Sequence, residues 1–185
     1  MDNRVVRLME NCKRIYGEEE YAKQVERLGG FKEDMTPKEQ AAFINAFIRE
    51  NKAQDDGKQV VETLRACGHE CLSNRTISLG KKLYKESKTM KEFLEALNDR
   101  CIGGGYLHLE GEGKIIGLYK DCYCTIPKQI RKMDPTYCEC SAGWYEHFFS
   151  QVLETKVNVT KLGTILNGAH RCTFEITYDN ADLEK

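Results

Sequence analysis

Three short cysteine pairs constrain this chain more than any other feature. Cys67 and Cys71 flank Gly68-His69-Glu70, Cys122 and Cys124 flank Tyr123, and Cys138 and Cys140 flank Glu139. Residues two apart on a strand point to the same face. Residues four apart on a helix stack on one side. Each pair therefore presents two thiols together, and converging thiolates are what zinc or an iron–sulfur cluster requires. The bland alternative is packing, since free cysteine is among the most buried residue types. Pairing three times over favours a metal or redox role. Cys12, Cys101 and Cys172 are isolated, and packing is the better reading for Cys12 and Cys101.

The 185 residues suit one domain, read as a helical half over 1–100 and an α+β half over 101–185. A hydrophobic fraction of 41% supplies a core, and 31% charged residues supply a solvated surface. Charge is evenly spread: 19 Lys/Arg against 18 Asp/Glu in the first hundred residues, 9 against 11 in the rest. No basic stripe supports nucleic-acid binding. No apolar run reaches the length of a membrane span. The first residues read as amphipathic rather than as a leader, so the expected location is cytoplasmic. In a reducing compartment, nine cysteines are more often ligands, reactive groups or buried thiols than disulfides.

The first hundred residues have helical periodicity. Thr36-Pro37-Lys38-Glu39 and Thr89-Met90-Lys91-Glu92 are helix starts of the capping-box kind. Val60, Val61, Leu64, Cys67, Cys71 and Leu72 form one stripe, which places the first cysteine pair on a buried face. After Gly103-Gly104-Gly105 the character changes. Strands are expected over 106–110 and 114–124, joined as a hairpin, and again over 137–140. A helix is expected from Ser141 to about Glu154, then strands over 157–166 and 171–178 around Asn167-Gly168. The order is helices followed by β-β-β-α-β-β, an α+β fold with an antiparallel sheet.

That reading places Cys122/Cys124 and Cys138/Cys140 on two strands that can pair. Neighbouring strands lie about 4.8 Å apart and same-face residues about 6.8 Å apart. Sulfurs around one zinc lie within roughly 4 Å of each other. A flat four-cysteine face is slightly too wide, so the Cys67/Cys71 helix is expected to lay its thiols across it. Trp144, Tyr145, Phe148 and Phe149 cover more than one helix face, which leaves some of them for an apolar cavity or a dimer partner. Core packing is the default for such residues. The histidines carry little signal, and the triple glycine precedes a strand, which suits a bend better than a phosphate loop.

Tyr137-Cys-Glu-Cys-Ser-Ala-Gly-Trp-Tyr145, Val157-Asn-Val159 and Gly168-Ala-His-Arg-Cys172-Thr-Phe174 together resemble the end of the 4-vinyl-reductase-type ligand-binding domain. That fold is shared with TRAPP subunits and haem-nitric-oxide sensors. The segment is also similar to the 2-aminothiazoline-4-carboxylate hydrolase group and to related cysteine-rich bacterial proteins. The resemblance spans roughly 136–178. It implies a small-ligand or metal-sensing domain with a pocket at Trp144, Tyr145 and Phe148, and a zinc-thiolate site. Some members bind zinc through Glu-x-x-Cys-x-x-x-Gly-x-x-x-Cys and a cysteine before the helix. Here Cys172 and Cys140 match, while Lys161 and Thr164 replace the Glu and the middle Cys. Ligands are therefore expected from Cys67, Cys71, Cys122, Cys124, Cys138 and Cys140. An iron–sulfur cluster, a hydrolase using a cysteine or metal-bound water, and a scaffold subunit or homodimer are the alternatives.

Overall fold

The computed structural model describes residues 3–32 and 34–179. Met1, Asp2 and residues 180–185, the ends of the two halves read from sequence, lie outside the described residues. Six helices come first: α1 (Asn3–Tyr16), α2 (Glu18–Arg27), α3 (Pro37–Lys52), α4 (Lys58–Cys71), α5 (Asn74–Glu86) and α6 (Met90–Asn98). Then follow β1 (Leu107–Leu109), β2 (Lys114–Tyr119), α7 (Glu139–Leu153), β3 (Val157–Gly163) and β4 (Cys172–Tyr178). The fold is α+β, with one antiparallel sheet in the order β1-β2-β4-β3.

The helix starts follow their caps. The Thr36 side chain accepts the Glu39 N–H while the Glu39 carboxylate accepts the Thr36 N–H, with Pro37 at the first turn. Thr89 caps α6 and Ser73 caps α5 in the same way, each accepting an N–H three residues on. In β4, Cys172, Phe174, Ile176 and Tyr178 are buried and alternate with half-exposed residues, as the period-two pattern requires. Gly103, Gly104 and Gly105 all have positive φ, near 65°, 86° and 73°, and form the bend between α6 and β1. A side chain on Gly104 would meet the Leu118 carbonyl at 2.8 Å.

Buried apolar side chains form two clusters. One lies between the sheet and α5, α6 and α7 and includes Phe93, Leu97, Ile115, Tyr145, Phe148, Phe149 and Phe174. The other gathers Val5, Phe43, Ile44, Phe47, Ile48 and Leu64 from α1, α3 and α4. They do not divide at residue 100. Leu83 and Phe93 belong to the sheet cluster, whereas Ile126, Met133 and Tyr137 belong to the helical one.

Four of the five expected strands form. The strand expected through Cys124 ends at Tyr119, because Tyr119 pairs with Cys172, the first residue of β4, and the ladder has no partner beyond it. Cys122 and Cys124 therefore sit in a loop. The strand expected over 137–140 is helical. Asp134 accepts the Thr136 N–H, Pro135 opens a 3-10 turn over Pro135–Cys138, and α7 continues directly from Glu139. Asp-Pro acts here as a helix start rather than a loop end. The flat face of four strand cysteines does not exist.

Candidate functional site: a cysteine-lined cavity

α4 and α7 cross at bare backbone. A Cβ on Gly68 would overlap the Cys140 carbonyl and reach within 2.7 Å of the Trp144 nitrogen. A Cβ on Gly143 would lie 2.6 Å from Arg65 Cα. Only glycine permits this approach, and it seats Cys71, the last residue of α4, against Cys140, the second residue of α7. Arg65 clamps the same crossing. Its Nε meets Glu139 Oε2 at 3.0 Å, Nη1 meets Glu146 Oε2 at 2.9 Å, and Nη2 donates to the Val159 carbonyl at 2.9 Å. Lys161 Nζ reaches the other Glu139 oxygen at 2.9 Å and donates to the Pro135 carbonyl at 3.1 Å. The segment carrying Cys138 and Cys140 is thereby tied to α4 and β3.

Beside this crossing lies a cavity of about 340 Å³. Cys71 reaches it from α4, Cys101 from the turn after α6, and Cys122 and Cys124 from the loop after β2. Cys138 and Cys140 reach it from the start of α7, and Cys172 from β4. Seven of the nine cysteines thus line one space. Aromatic walls come from Tyr119, Tyr123, Tyr137 and Trp144, and Arg4 of α1 adds a cation.

The sulfurs meet in twos. Cys71 and Cys140 are close enough for each to shift the other's ionisation, and so are Cys138 and Cys172. The contact with Cys140 brings Cys71 down to about 6 against opposing burial, and Arg7 Nη1, 3.6 Å from the sulfur, adds to it. Cys172 is brought down to about 6 by Cys138, against burial, with the Ile165 N–H donating to its sulfur at 3.4 Å. Their partners are pushed up, chiefly by the same contacts and then by burial. Within each pair the thiolate is favoured on one sulfur and disfavoured on the other. Burial also raises Cys122 and Cys124. Among the described residues, no three His, Cys, Asp or Glu side chains converge as a metal site. The donor set is nonetheless the soft sulfur kind that suits zinc, copper(I) or iron–sulfur clusters.

The family described as a family of unknown function, DUF6144, matches residues 3–183. The chain belongs to this family. No curated protein matches it. Among solved structures, an H-NOX protein from S. oneidensis in the Fe(II)NO ligation state is similar at 12% identity, covering 97% of this chain and 100% of that one, with a TM-score of 0.48. A likeness of that degree decides neither fold nor function.

In this DUF6144 chain, five of the six cysteines singled out from the sequence face the cavity. Cys67 does not line it; its sulfur accepts from Asn11 Nδ2 at 3.7 Å, on the α1 side of α4. Trp144 lines the cavity, but Tyr145 and Phe148 are wholly buried behind it. Tyr145 donates to the Gly103 carbonyl at 2.7 Å, and Phe148 stacks on Trp144 with centroids 5.2 Å apart. Both are core residues because α7 is enclosed by α4, α5 and the sheet. Cys101, Cys172 and Arg4 were missing from the expected set. The Gly-x-x-x-Cys spacing before Phe174 was the one signal for Cys172; nothing in the sequence marks Cys101 or Arg4. His69 faces away from the thiols, as its helical position predicts, and stacks on His147 at 4.9 Å. Among the described residues, no helix is long and apolar enough to cross a membrane.

Proposed function

We propose that this chain is a small-ligand-binding domain whose cavity holds a thiophilic metal, zinc first, through cysteine thiolates. The observation that carries this reading is the arrival of seven cysteines from five separate segments at one cavity. Packing explains a buried thiol or two, but not seven around open space. Cys71, Cys140, Cys138 and Cys172 supply four sulfurs, and Cys122 and Cys124 lie on the loop side of the same space. Arg4 and Arg7 offset the negative charge that a thiolate-rich site accumulates. Bound zinc would hold these thiols deprotonated and tie α4, α7 and β4 together.

The cavity volume favours a second reading, an iron–sulfur cluster. Sulfurs around a single zinc need span only roughly 4 Å. A space of about 340 Å³ exceeds what one ion fills. A cluster also takes four cysteines.

The test is elemental analysis with an absorption spectrum on protein purified without oxygen. Zinc near one equivalent and no visible band supports the first reading. Iron, acid-labile sulfide and a broad visible band support the second. Protein carrying neither, and taking up neither on reconstitution, overturns both.

A further inference from the structure

Cys71 and Cys140 face each other across the Gly68 crossing, one from the end of α4 and one from the start of α7. The Cys140 backbone packs on Gly68, one turn before Cys71, and both cysteines are part-exposed and line the cavity. Cys138 and Cys172 also line the cavity, but each is nearly enclosed, at 7% and 5% exposure. Cys71, part-exposed and lining the cavity, stands open to a solute there. Arg7 Nη1 lies 3.6 Å from the Cys71 sulfur, and Arg4 lines the same space. Two cations beside a sulfur suit a reaction that expels an anion there.

We infer that Cys71 and Cys140 form a redox-active dithiol that a hydroperoxide entering the cavity converts to a disulfide joining α4 to α7. In the first step the Cys71 sulfur attacks the terminal peroxide oxygen. An S–O bond forms, the O–O bond breaks, and the departing alkoxide or hydroxide takes up a proton. Cys71 is left as a sulfenic acid. In the second step the Cys140 sulfur attacks the Cys71 sulfur. An S–S bond forms, the S–O bond breaks, and water leaves with the Cys140 proton. Two electrons pass from the dithiol to the peroxide, and the products are a disulfide, water and an alcohol (or a second water). The assignment goes beyond metal binding, because it needs only the two facing thiols and access to them.

The experiment uses the full chain, stripped of metal by a chelator without oxygen and then given a single equivalent of hydrogen peroxide. Remaining thiols are alkylated, and cross-links are mapped by mass spectrometry. The expected product is a dominant Cys71–Cys140 disulfide. Dominant cross-links elsewhere, or a Cys71 that stays reduced while other cysteines oxidise, overturn the inference. A Cys140→Ala variant is expected to accumulate sulfenic acid at Cys71, trapped by dimedone; its absence there also overturns the inference. If that variant does not fold, the map on the native chain decides alone. Metal content is read on a separate untreated sample, so failure of the metal reading and failure of the dithiol are told apart.

Discussion

Gly68 and Cys140 touch so closely that a single methyl group on Gly68 would occupy the space of the Cys140 carbonyl oxygen. This contact sets the distance between α4 and α7, and so the meeting of Cys71 with Cys140. Replacing Gly68 with Ala has two opposing effects. Helix propensity favours alanine by up to about 1 kcal/mol. Forcing packed backbones apart costs typically about 1–3 kcal/mol, and rigid backbone gives less than side chains do. The clash wins, and a net loss of about 1–2 kcal/mol is expected for Gly68→Ala and likewise for Gly143→Ala. Urea unfolding measures it; an unchanged midpoint would show that the crossing is looser than described.

Arg65 joins α4 to Glu139, Glu146 and the Val159 carbonyl. Glu139 is 8% exposed, so leaving it with fewer partners is costly. Breaking a fully buried pair costs roughly 3–5 kcal/mol and an exposed one under about 1 kcal/mol. Arg65 is itself partly exposed and Lys161 still holds Glu139, so Arg65→Ala is expected to cost about 2 kcal/mol. Arg65→Lys should recover less than half of that loss, since an ammonium cannot serve three partners in one plane. Chemical denaturation of the Arg65→Ala and Arg65→Lys variants checks both values.

Asp134 opens the segment that carries Cys138 and Cys140. Partial burial pushes its carboxyl up, but the Thr136 hydrogen bonds and the Lys52 charge outweigh that and hold it below the usual range. A carboxylate depressed in the folded state stabilises above its unfolded value, near 3.8, and that contribution is lost as pH falls through the folded value. Asp134→Ala is therefore expected to lose about 1 kcal/mol at neutral pH, as cap removal does. The gap to the native chain should begin to narrow below the unfolded value and close as pH falls through the lower folded one. A gap that persists at low pH would show that the loss is packing rather than charge.

Cys67 and the Cys138–Cys172 pair separate ligand from packing. Cys67 is buried, and burial, with Glu70 and Cys71 adding, pushes it up to about 12. Cys67→Ser is expected to leave metal content unchanged and to cost about 1–2 kcal/mol, the range for burying a hydroxyl in place of a thiol. Cys138→Ser/Cys172→Ser is expected to reduce metal content by half or more. Elemental analysis of both variants beside their melting temperatures tests this; equal metal loss in the two would return Cys67 to the ligand set.

The sequence alone determined what depends on neighbours in the chain. Thr36, Ser73 and Thr89 bond to N–H groups three residues away, so helix starts are visible locally. The alternation of Cys172, Phe174, Ile176 and Tyr178 records a strand with one buried face, and the order of periodicities conveys the α+β class. Five of the six paired cysteines line the cavity for the same reason, since proximity in the chain is preserved in any fold. What a strand or cavity needs from distant residues was not visible. β2 stops at Tyr119 because β4, far along the chain, begins at Cys172, and that left Cys122 and Cys124 in a loop. Asp134-Pro135 reads as the end of a loop, but Asn45 and Lys52 of α3 hold it as a helix start. Only the tertiary structure set Cys67 toward Asn11, brought Cys101, Cys172 and Arg4 to the cavity, and used two glycines to press α4 onto α7. Those outcomes depend on which surfaces pack together, a long-range property that no local spacing encodes.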